Sequence, residues 1–166
     1  MTTFTHQTPH DTPPDTPPAL VVPALGPVYA SLAGLSEALV RVAAGAFLIP
    51  HGAQKLFGWF GGYGLEATGA FFATQLGFAN GYLAALGAGS LEVFGGLMLA
   101  LGLFTRPVAA LIAVFLLMAA SVHLGAGFFW TEGGWEYPVL WALVAAHFAI
   151  RGGGRYALDR AIGREV

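Results

Sequence analysis

The chain has 166 residues, of which 56% are hydrophobic and only 10% are charged, and it contains no cysteine. A soluble domain of this size usually has about a quarter charged residues, so the composition predicts an integral membrane protein. The net charge of −2 and the lack of a basic tract argue against a nucleic-acid partner. Because cysteine is absent, the chain has no thiolate chemistry and no ligands for an iron–sulfur cluster.

The N-terminal part differs from the rest in composition. Residues 1–18 are rich in threonine, proline and aspartate, which predicts a disordered tail. They lack the charged start and apolar core of a secretory signal, so no cleavage is expected. Residues 19–35 are apolar but interrupted by proline and glycine, which indicates a lead-in at the membrane interface. One membrane domain is predicted over residues 19–166.

Four apolar stretches predict an all-α integral membrane protein with a four-transmembrane-helix bundle. They cover about 36–58, 82–104, 107–124 and 138–150. Pro50 lies within the first stretch and predicts a kink, because proline frees a carbonyl and crowds the preceding turn. The fourth stretch is short for a bilayer. Residues 65–76 predict a short amphipathic helix on the membrane surface in the first outer loop.

Basic residues are distributed unevenly between the two ends of the predicted bundle. With four spans, the end that carries both termini also carries five arginines, namely Arg106, Arg151, Arg155, Arg160 and Arg164. The opposite end carries a single lysine, Lys55. Because basic residues favour the cytoplasmic side, both termini are predicted to be cytoplasmic.

The first predicted span carries four ionisable side chains on one face. At about 100° per residue, all four fall within roughly 80° of one another; they are Glu37, Arg41, His51 and Lys55. A charge in the bilayer core costs roughly 3 kcal/mol or more, so this face must point to protein or to a polar cavity. Glu37 and Arg41 form an i, i+4 pair in the favourable order, and with Arg106 they are interpreted as structural anchors at the cytoplasmic end.

Small residues surround Glu92 on the second predicted span. Five of them lie within about 60° of it around the helix: Ala85, Ala88, Gly89, Gly95 and Gly96. Such a strip allows two membrane helices to approach closely, so this face is predicted to pack against a neighbouring helix.

Counting along the helices places ionisable groups from all four spans in the outer half of the bundle. The candidate ligand-binding and proton-handling residues are His51, Lys55, Glu92, His123 and Glu136. Lys55 is expected to pair with Glu92 or Glu136. Three interpretations stay open, namely pairing that fixes helix register, a site for a small polar or quinone-like ligand, and direct metal or haem ligation. No metal site is predicted, because a motif such as a paired i, i+4 histidine is missing, and no catalytic residue is assigned.

Two segments carry a likeness to a known family. They are RVAAGAFLIPHGAQKLFGWFGG at 41–62 and LEVFGGLMLALGLFTRPVAALI at 91–112, extended by His123, GGWEYPVLW and the closing GGGRYALD. In this order and spacing, the chain resembles the DoxX family of small bacterial membrane proteins. The resemblance implies a four-helix bundle in the bacterial inner membrane with both termini inside. It makes His51, Lys55, Glu92, Arg106, His123 and Glu136 the polar positions that match the family pattern.

The resemblance also implies a link to redox chemistry, because the family takes its name from a subunit of a thiosulfate:quinone oxidoreductase. The first hypothesis is a subunit or accessory of a quinone-linked membrane redox system. Its ligand would be a quinone or a small anionic substrate, and its partner another membrane or redox protein. The second hypothesis is a non-catalytic assembly or stabilising subunit, which the 24 glycines and the lack of an embedded redox group favour. If the chain is enzymatic, the first hypothesis makes it part of a membrane oxidoreductase complex.

Overall fold

The architecture is all-helical over the residues that the structure, a computed structural model, describes, which are 18–163. The tail predicted over residues 1–18 lies outside this range except for Pro18. The α-helices are α1 (Gly26–Phe57), α2 (Gly64–Gln75), α3 (Gly81–Ser90), α4 (Gly96–Leu101), α5 (Thr105–Val122), α6 (Glu136–Arg151) and α7 (Leu158–Ala161). A π-helical turn, Leu91–Gly95, joins α3 to α4 and makes them one continuous helix.

Within the part of the chain that the structure describes, three helices are long and apolar enough to cross a membrane. They are Pro23–Phe57, Gly81–Leu101 and Thr105–Val122. The first begins well before residue 36, so the prediction of an interrupted lead-in over residues 19–35 is wrong for the part from Gly26 onward. Pro27 stands in the first turn of α1, where the missing N–H has no intrahelical partner to lose, and the helix therefore starts there.

Helix α2 lies between α1 and α3 in the chain and packs against both. The predicted helix over residues 65–76 is confirmed, but its amphipathic character is not. The buried residues of α2 are the small or polar Thr68 and Gly69, whereas Phe71 is half-exposed. A Cβ at Gly69 would lie 2.9 Å from the Cα of Tyr82, so α2 approaches the start of α3 through backbone contact rather than through an apolar face.

Helix α1 packs against the α3–α4 helix through glycine, which confirms the close approach predicted around Glu92. A Cβ at Gly52 would lie 2.6 Å from the carbonyl oxygen of Gly89 and 2.8 Å from the amide nitrogen of Val93. A Cβ at Gly45 would collide with the carbonyl oxygen of Gly96. The two backbones are therefore in direct contact over about two helical turns.

Substitution of Gly52 by alanine tests this contact. The added methyl group must push α1 away from backbone atoms that cannot move aside, so we expect a loss of about 1–3 kcal/mol in the free energy of unfolding. The matched control is Gly87→Ala in α3, where an added Cβ meets nothing within 4 Å. The control should be neutral or stabilising by up to ~1 kcal/mol, because alanine is the better helix former. Equal melting temperatures for both variants in mild detergent would contradict the close packing.

The apolar core lies where α1, α4, α5 and α6 meet. Its buried members include Leu48, Leu99, Ile112 and Phe148, one from each helix. Helix α5 packs mainly against α6, while α1 packs mainly against α2 and the α3–α4 helix. The bundle thus consists of two helical layers that share one core.

The segment after α6 folds back onto the turn between α4 and α5. Asp159 is 3% exposed, and its carboxylate accepts hydrogen bonds from Phe104 N at 2.7 Å, Thr105 N at 2.8 Å and Thr105 Oγ1 at 2.7 Å. Phe104 has a φ of 47°, an unfavourable left-handed conformation for a residue with a side chain. Asp159 therefore caps the N-terminus of α5 and holds a strained turn in place.

Arg41 is the second buried charge at this end of the molecule, and it is only 1% exposed. Its guanidinium donates to Leu99 O at 2.9 Å, Ala100 O at 2.6 Å and Tyr156 O at 3.0 Å. The first two carbonyls belong to the last turn of α4, where Leu99 O also accepts a hydrogen bond from Gly102 N at 3.0 Å, so the guanidinium adds a cationic donor to the C-terminal end of that helix. The structure differs here from the predicted i, i+4 pairing, because Arg41 bonds carbonyl groups, while Glu37 Oε1 lies 3.9 Å from His147 Nε2.

Candidate functional site

A cavity of about 180 Å³ opens between α1, the α3–α4 helix, α5 and α6. Four of the five candidate residues line it, namely His51, Lys55, Glu92 and His123. The rest of the wall is mainly apolar and aromatic, and its rings come from Phe47, Trp130, Tyr137 and Trp141. The arrangement is that of a small-molecule site, in which a few polar groups converge on an apolar pocket.

Lys55 and Glu92 form an ion pair at one wall of this cavity. The Lys55 Nζ atom lies 2.8 Å from each carboxylate oxygen and donates a hydrogen bond to Oε1. The Glu92 side chain is 6% exposed and that of Lys55 is 25% exposed. Lys55 was predicted to pair with Glu92 or Glu136, and in the structure it pairs with Glu92. A buried pair of this kind contributes little net stability, because desolvation offsets the attraction.

The geometry of the pair depends on the π-helical turn and on glycine. Glu92 lies inside Leu91–Gly95, and π-turns of this kind recur at functional sites. Gly52 allows α1 to touch this turn, and Lys55 lies one helical turn further along the same face of α1. The side chain of Lys55 therefore reaches Glu92 directly. The glycines in the sequence indicated the close approach of α1 to the α3–α4 helix. Nothing in the sequence indicated the π-turn.

His123, which lines the cavity at the end of α5, is held in one orientation and one tautomer. Its Nδ1 lies 2.7 Å from the carbonyl oxygen of Gly133. Because a carbonyl can only accept a hydrogen bond, Nδ1 carries the hydrogen, and Nε2 of the neutral ring is an acceptor. The cavity is thus bordered by a cationic donor on α1 and, at the end of α5, by Nε2 of an imidazole whose Nδ1 is already hydrogen-bonded.

Glu136 does not line the cavity, so the structure does not bring it together with the other four candidates. Its Oε1 accepts a hydrogen bond from Trp130 N at 2.9 Å. The Trp130 ring stacks on Tyr137 at 5.2 Å between centroids and lies 6.0 Å from the ring of His123. Glu136 therefore positions an aromatic wall of the cavity. Trp130 itself lines the cavity.

Trp141 is a cavity residue that the sequence analysis missed. Its ring meets Phe47 at 5.5 Å and Tyr137 at 6.0 Å, both edge to face. Its Nε1 is buried and has no hydrogen-bond acceptor among the described residues. The signal that could have found it is the i, i+4 spacing of Tyr137 and Trp141, which places two amphipathic rings on one face of α6.

His51 is exposed at the surface of the protein and lines the cavity at its edge. Its own backbone carbonyl lies 3.4 Å from Lys55 Nζ. Within residues 18–163, no three histidine or carboxylate side chains lie close enough together to hold a metal ion.

Substitution of Trp141 by phenylalanine removes the unpartnered N–H while keeping an aromatic ring. We expect the melting temperature to change little, because no protein acceptor loses its donor. Affinity for a carbonyl-bearing ring should fall about threefold to tenfold, the value of one neutral hydrogen bond. Isothermal titration of the detergent-solubilised protein with a short-chain benzoquinone measures this. Unchanged affinity would remove Trp141 from the site.

A family model described as DoxX matches residues 36–125, which is just over half of the chain. The match begins within α1 and ends after His123, so it contains the four polar cavity residues but not the aromatic residues of α6. No curated protein and no solved structure matches the chain.

Proposed function

The chain belongs to the DoxX family, and from this we propose that it is a four-span protein of the bacterial inner membrane with both termini in the cytoplasm. Helix α6 is the fourth span, and Pro50 kinks the first. Two observations support this topology. The contact of Asp159 with the α4–α5 turn brings the C-terminal segment and the loop at Arg106 to one end of the molecule. That end carries most of the arginines, as the positive-inside rule requires for a cytoplasmic face.

The proposed activity is that of a subunit or accessory of a quinone-linked membrane redox system. The observation that carries the proposal is the cavity, with its aromatic walls, a cationic donor at Lys55 and an acceptor at His123 Nε2. An apolar cavity of about 150 Å³ accommodates benzene. The cavity of about 180 Å³ is therefore large enough for a single-ring quinone headgroup.

The polar groups match the needs of quinone reduction, in which a quinone takes up two electrons and two protons to give a quinol. Lys55 would donate a hydrogen bond to one carbonyl oxygen and stabilise the negative charge that reduction places there. His123 would donate a proton to the other oxygen from Nε2 when its ring is protonated on both nitrogens, and the neutral ring would accept that proton back from the quinol. The Lys55 ammonium would supply the proton at the first oxygen. The electrons would come from a partner redox protein, because this chain has no cysteine and no paired metal ligands of its own among the described residues.

The direct experiment is equilibrium dialysis of the detergent-solubilised protein against a short-chain benzoquinone. We expect saturable binding with a single site per chain. Thiosulfate, as a small anionic competitor, should not displace the quinone, because a fully hydrated anion finds one cation and a mostly apolar wall. Saturable thiosulfate binding without quinone binding would reassign the cavity to an anionic substrate. The lack of saturable binding by either probe would contradict a ligand site.

The alternative function is a non-catalytic assembly or stabilising subunit. One of its supports was the abundance of small residues, which could serve as docking faces for other membrane proteins. In the structure, several of these glycines are buried between α1 and the α3–α4 helix, namely Gly45, Gly52, Gly89 and Gly96. They serve the chain's own packing, so they no longer favour the alternative over the redox function.

A further inference from the structure

The Lys55–Glu92 pair borders a second compartment besides the cavity. This groove, of about 210 Å³, lies between α2, the α3–α4 helix and α5. It shares four lining residues with the cavity, namely Lys55, Glu92, Ala119 and His123. The two compartments therefore lie on opposite sides of the same polar side chains.

The chemistry of the groove differs from that of the cavity. Apart from the shared polar groups, its walls are entirely apolar: Phe71, Phe72, Leu76, Phe78, Phe115, Met118 and Val122. Phe72 and Phe78 stack on each other at 5.7 Å and form one wall. Met118 and Val122 on the opposite wall are 50% and 47% exposed. The groove thus opens to the outside of the bundle along apolar side chains, which face lipid in a membrane.

We propose that the groove holds the apolar tail of a ligand that reaches the cavity sideways from the bilayer, and that the ligand class is a single-ring headgroup with a long apolar tail. This inference rests on the proposed function. The headgroup occupies the cavity between Lys55 and His123, and the tail leaves past Ala119 between α2 and α5. The small side chain of Ala119, which lines both compartments, leaves room for the tail at the junction.

The occupant of the groove follows from its position and its polarity. A water-soluble substrate would make no favourable polar contact with the apolar, lipid-facing wall of the groove. A peptide segment would leave its backbone N–H and C=O groups without partners there. An alkyl or isoprenoid tail has no polar group to satisfy, and it can pack against these apolar side chains as it packs against lipid.

The test compares two benzoquinones with the same headgroup, one with a short tail and one with a decyl tail. The groove is blocked by Met118→Trp, and the matched control is Leu117→Trp on the adjacent position of α5, which is 52% exposed and does not line the groove. We expect Met118→Trp to weaken binding of the decyl compound roughly tenfold or more, because the indole ring fills the space that the tail needs. Binding of the short-tailed compound should change less than about threefold, and the control should affect neither. If Met118→Trp lowers the yield of folded protein, Val122→Trp blocks the same groove from the end of α5.

The outcomes separate this inference from the proposed function. Equal affinity of the wild-type protein for both compounds, or an equal loss for both in Met118→Trp, would overturn the tail groove while leaving the headgroup site intact. The same loss in Leu117→Trp would also overturn it, because the effect would then come from the lipid-facing surface in general. A wild-type protein that binds neither compound would overturn the proposed function and this inference together.

Discussion

Replacement of Asp159 by alanine is expected to lower the free energy of unfolding by about 3–5 kcal/mol. The carboxylate accepts three hydrogen bonds from Phe104 and Thr105, and the side chain is almost completely buried. Without it, two backbone N–H groups at the start of α5 lose their acceptor, and each unpaired buried donor costs about 1–3 kcal/mol. The left-handed conformation of Phe104 also loses the contact that holds it. The melting temperature in mild detergent should fall by on the order of 10 °C.

The matched control for this prediction is Asp159→Asn. Asparagine keeps the size of the side chain and one carbonyl oxygen as acceptor, so the loss should be less than half of that in the alanine variant. The quinone affinity of Asp159→Ala is a second control. It should be unchanged in the folded fraction, because Asp159 and the α4–α5 turn lie outside the cavity. If Asp159→Ala melted within 2 °C or so of the wild type, the C-terminal segment would not cap α5 as described.

Replacement of Lys55 by methionine is expected to weaken quinone binding roughly tenfold to a hundredfold while the fold is kept. Methionine has nearly the same length but cannot donate to a ligand oxygen, and a hydrogen bond from a charged donor is worth roughly tenfold to a hundredfold in affinity. The fold should be retained, because the contact between α1 and the α3–α4 helix depends on glycine backbone contacts such as Gly52 with Gly89. Titration with a short-chain benzoquinone measures the affinity, and the melting temperature reports on the fold.

The charge left on Glu92 in Lys55→Met is the main confounding factor, because an unpaired buried carboxylate is itself destabilising. The double variant Lys55→Met/Glu92→Gln removes it and should recover any stability lost in the single variant without recovering binding. Lys55→Arg keeps the cation and should retain part of the affinity. Unchanged binding in Lys55→Met would show that the polar cluster of the cavity is not the ligand site.

The pairing of Lys55 with a carboxylate was predictable because charges are costly in an apolar helix. The periodicity of α1 placed Lys55 on the face that must turn inward, and the depth of Glu92 along its helix placed it within reach. The choice between Glu92 and Glu136 was not predictable, since it depends on the π-turn and on the approach that Gly52 permits. The small residues around Glu92 indicated the close approach, whereas the π-turn arises from tertiary packing and has no local sequence signature.

The start of α1 and the capping role of Asp159 show where local patterns mislead. Pro27 and Gly34 suggested breaks in the helical pattern before residue 36. Proline is tolerated in the first turn of a helix, however, and α1 begins at Gly26, just before Pro27. Asp159 stands in a polar C-terminal segment whose arginines predicted only that this end is cytoplasmic. Its burial arises because the chain folds back onto the α4–α5 turn, and its partner Thr105 is more than fifty residues away.

The most direct test of the cavity as a binding site is to purify the protein in mild detergent, extract the bound small molecules and identify them by mass spectrometry. Wild type and the double variant Lys55→Met/Glu92→Gln are treated side by side, with a melting curve to confirm that both are folded. We predict a quinone in the wild-type extract and none in that of the folded variant. An empty wild-type protein that instead brings down a stoichiometric partner protein would contradict this prediction, and it would make the Lys55–Glu92 pair a structural element of a scaffold.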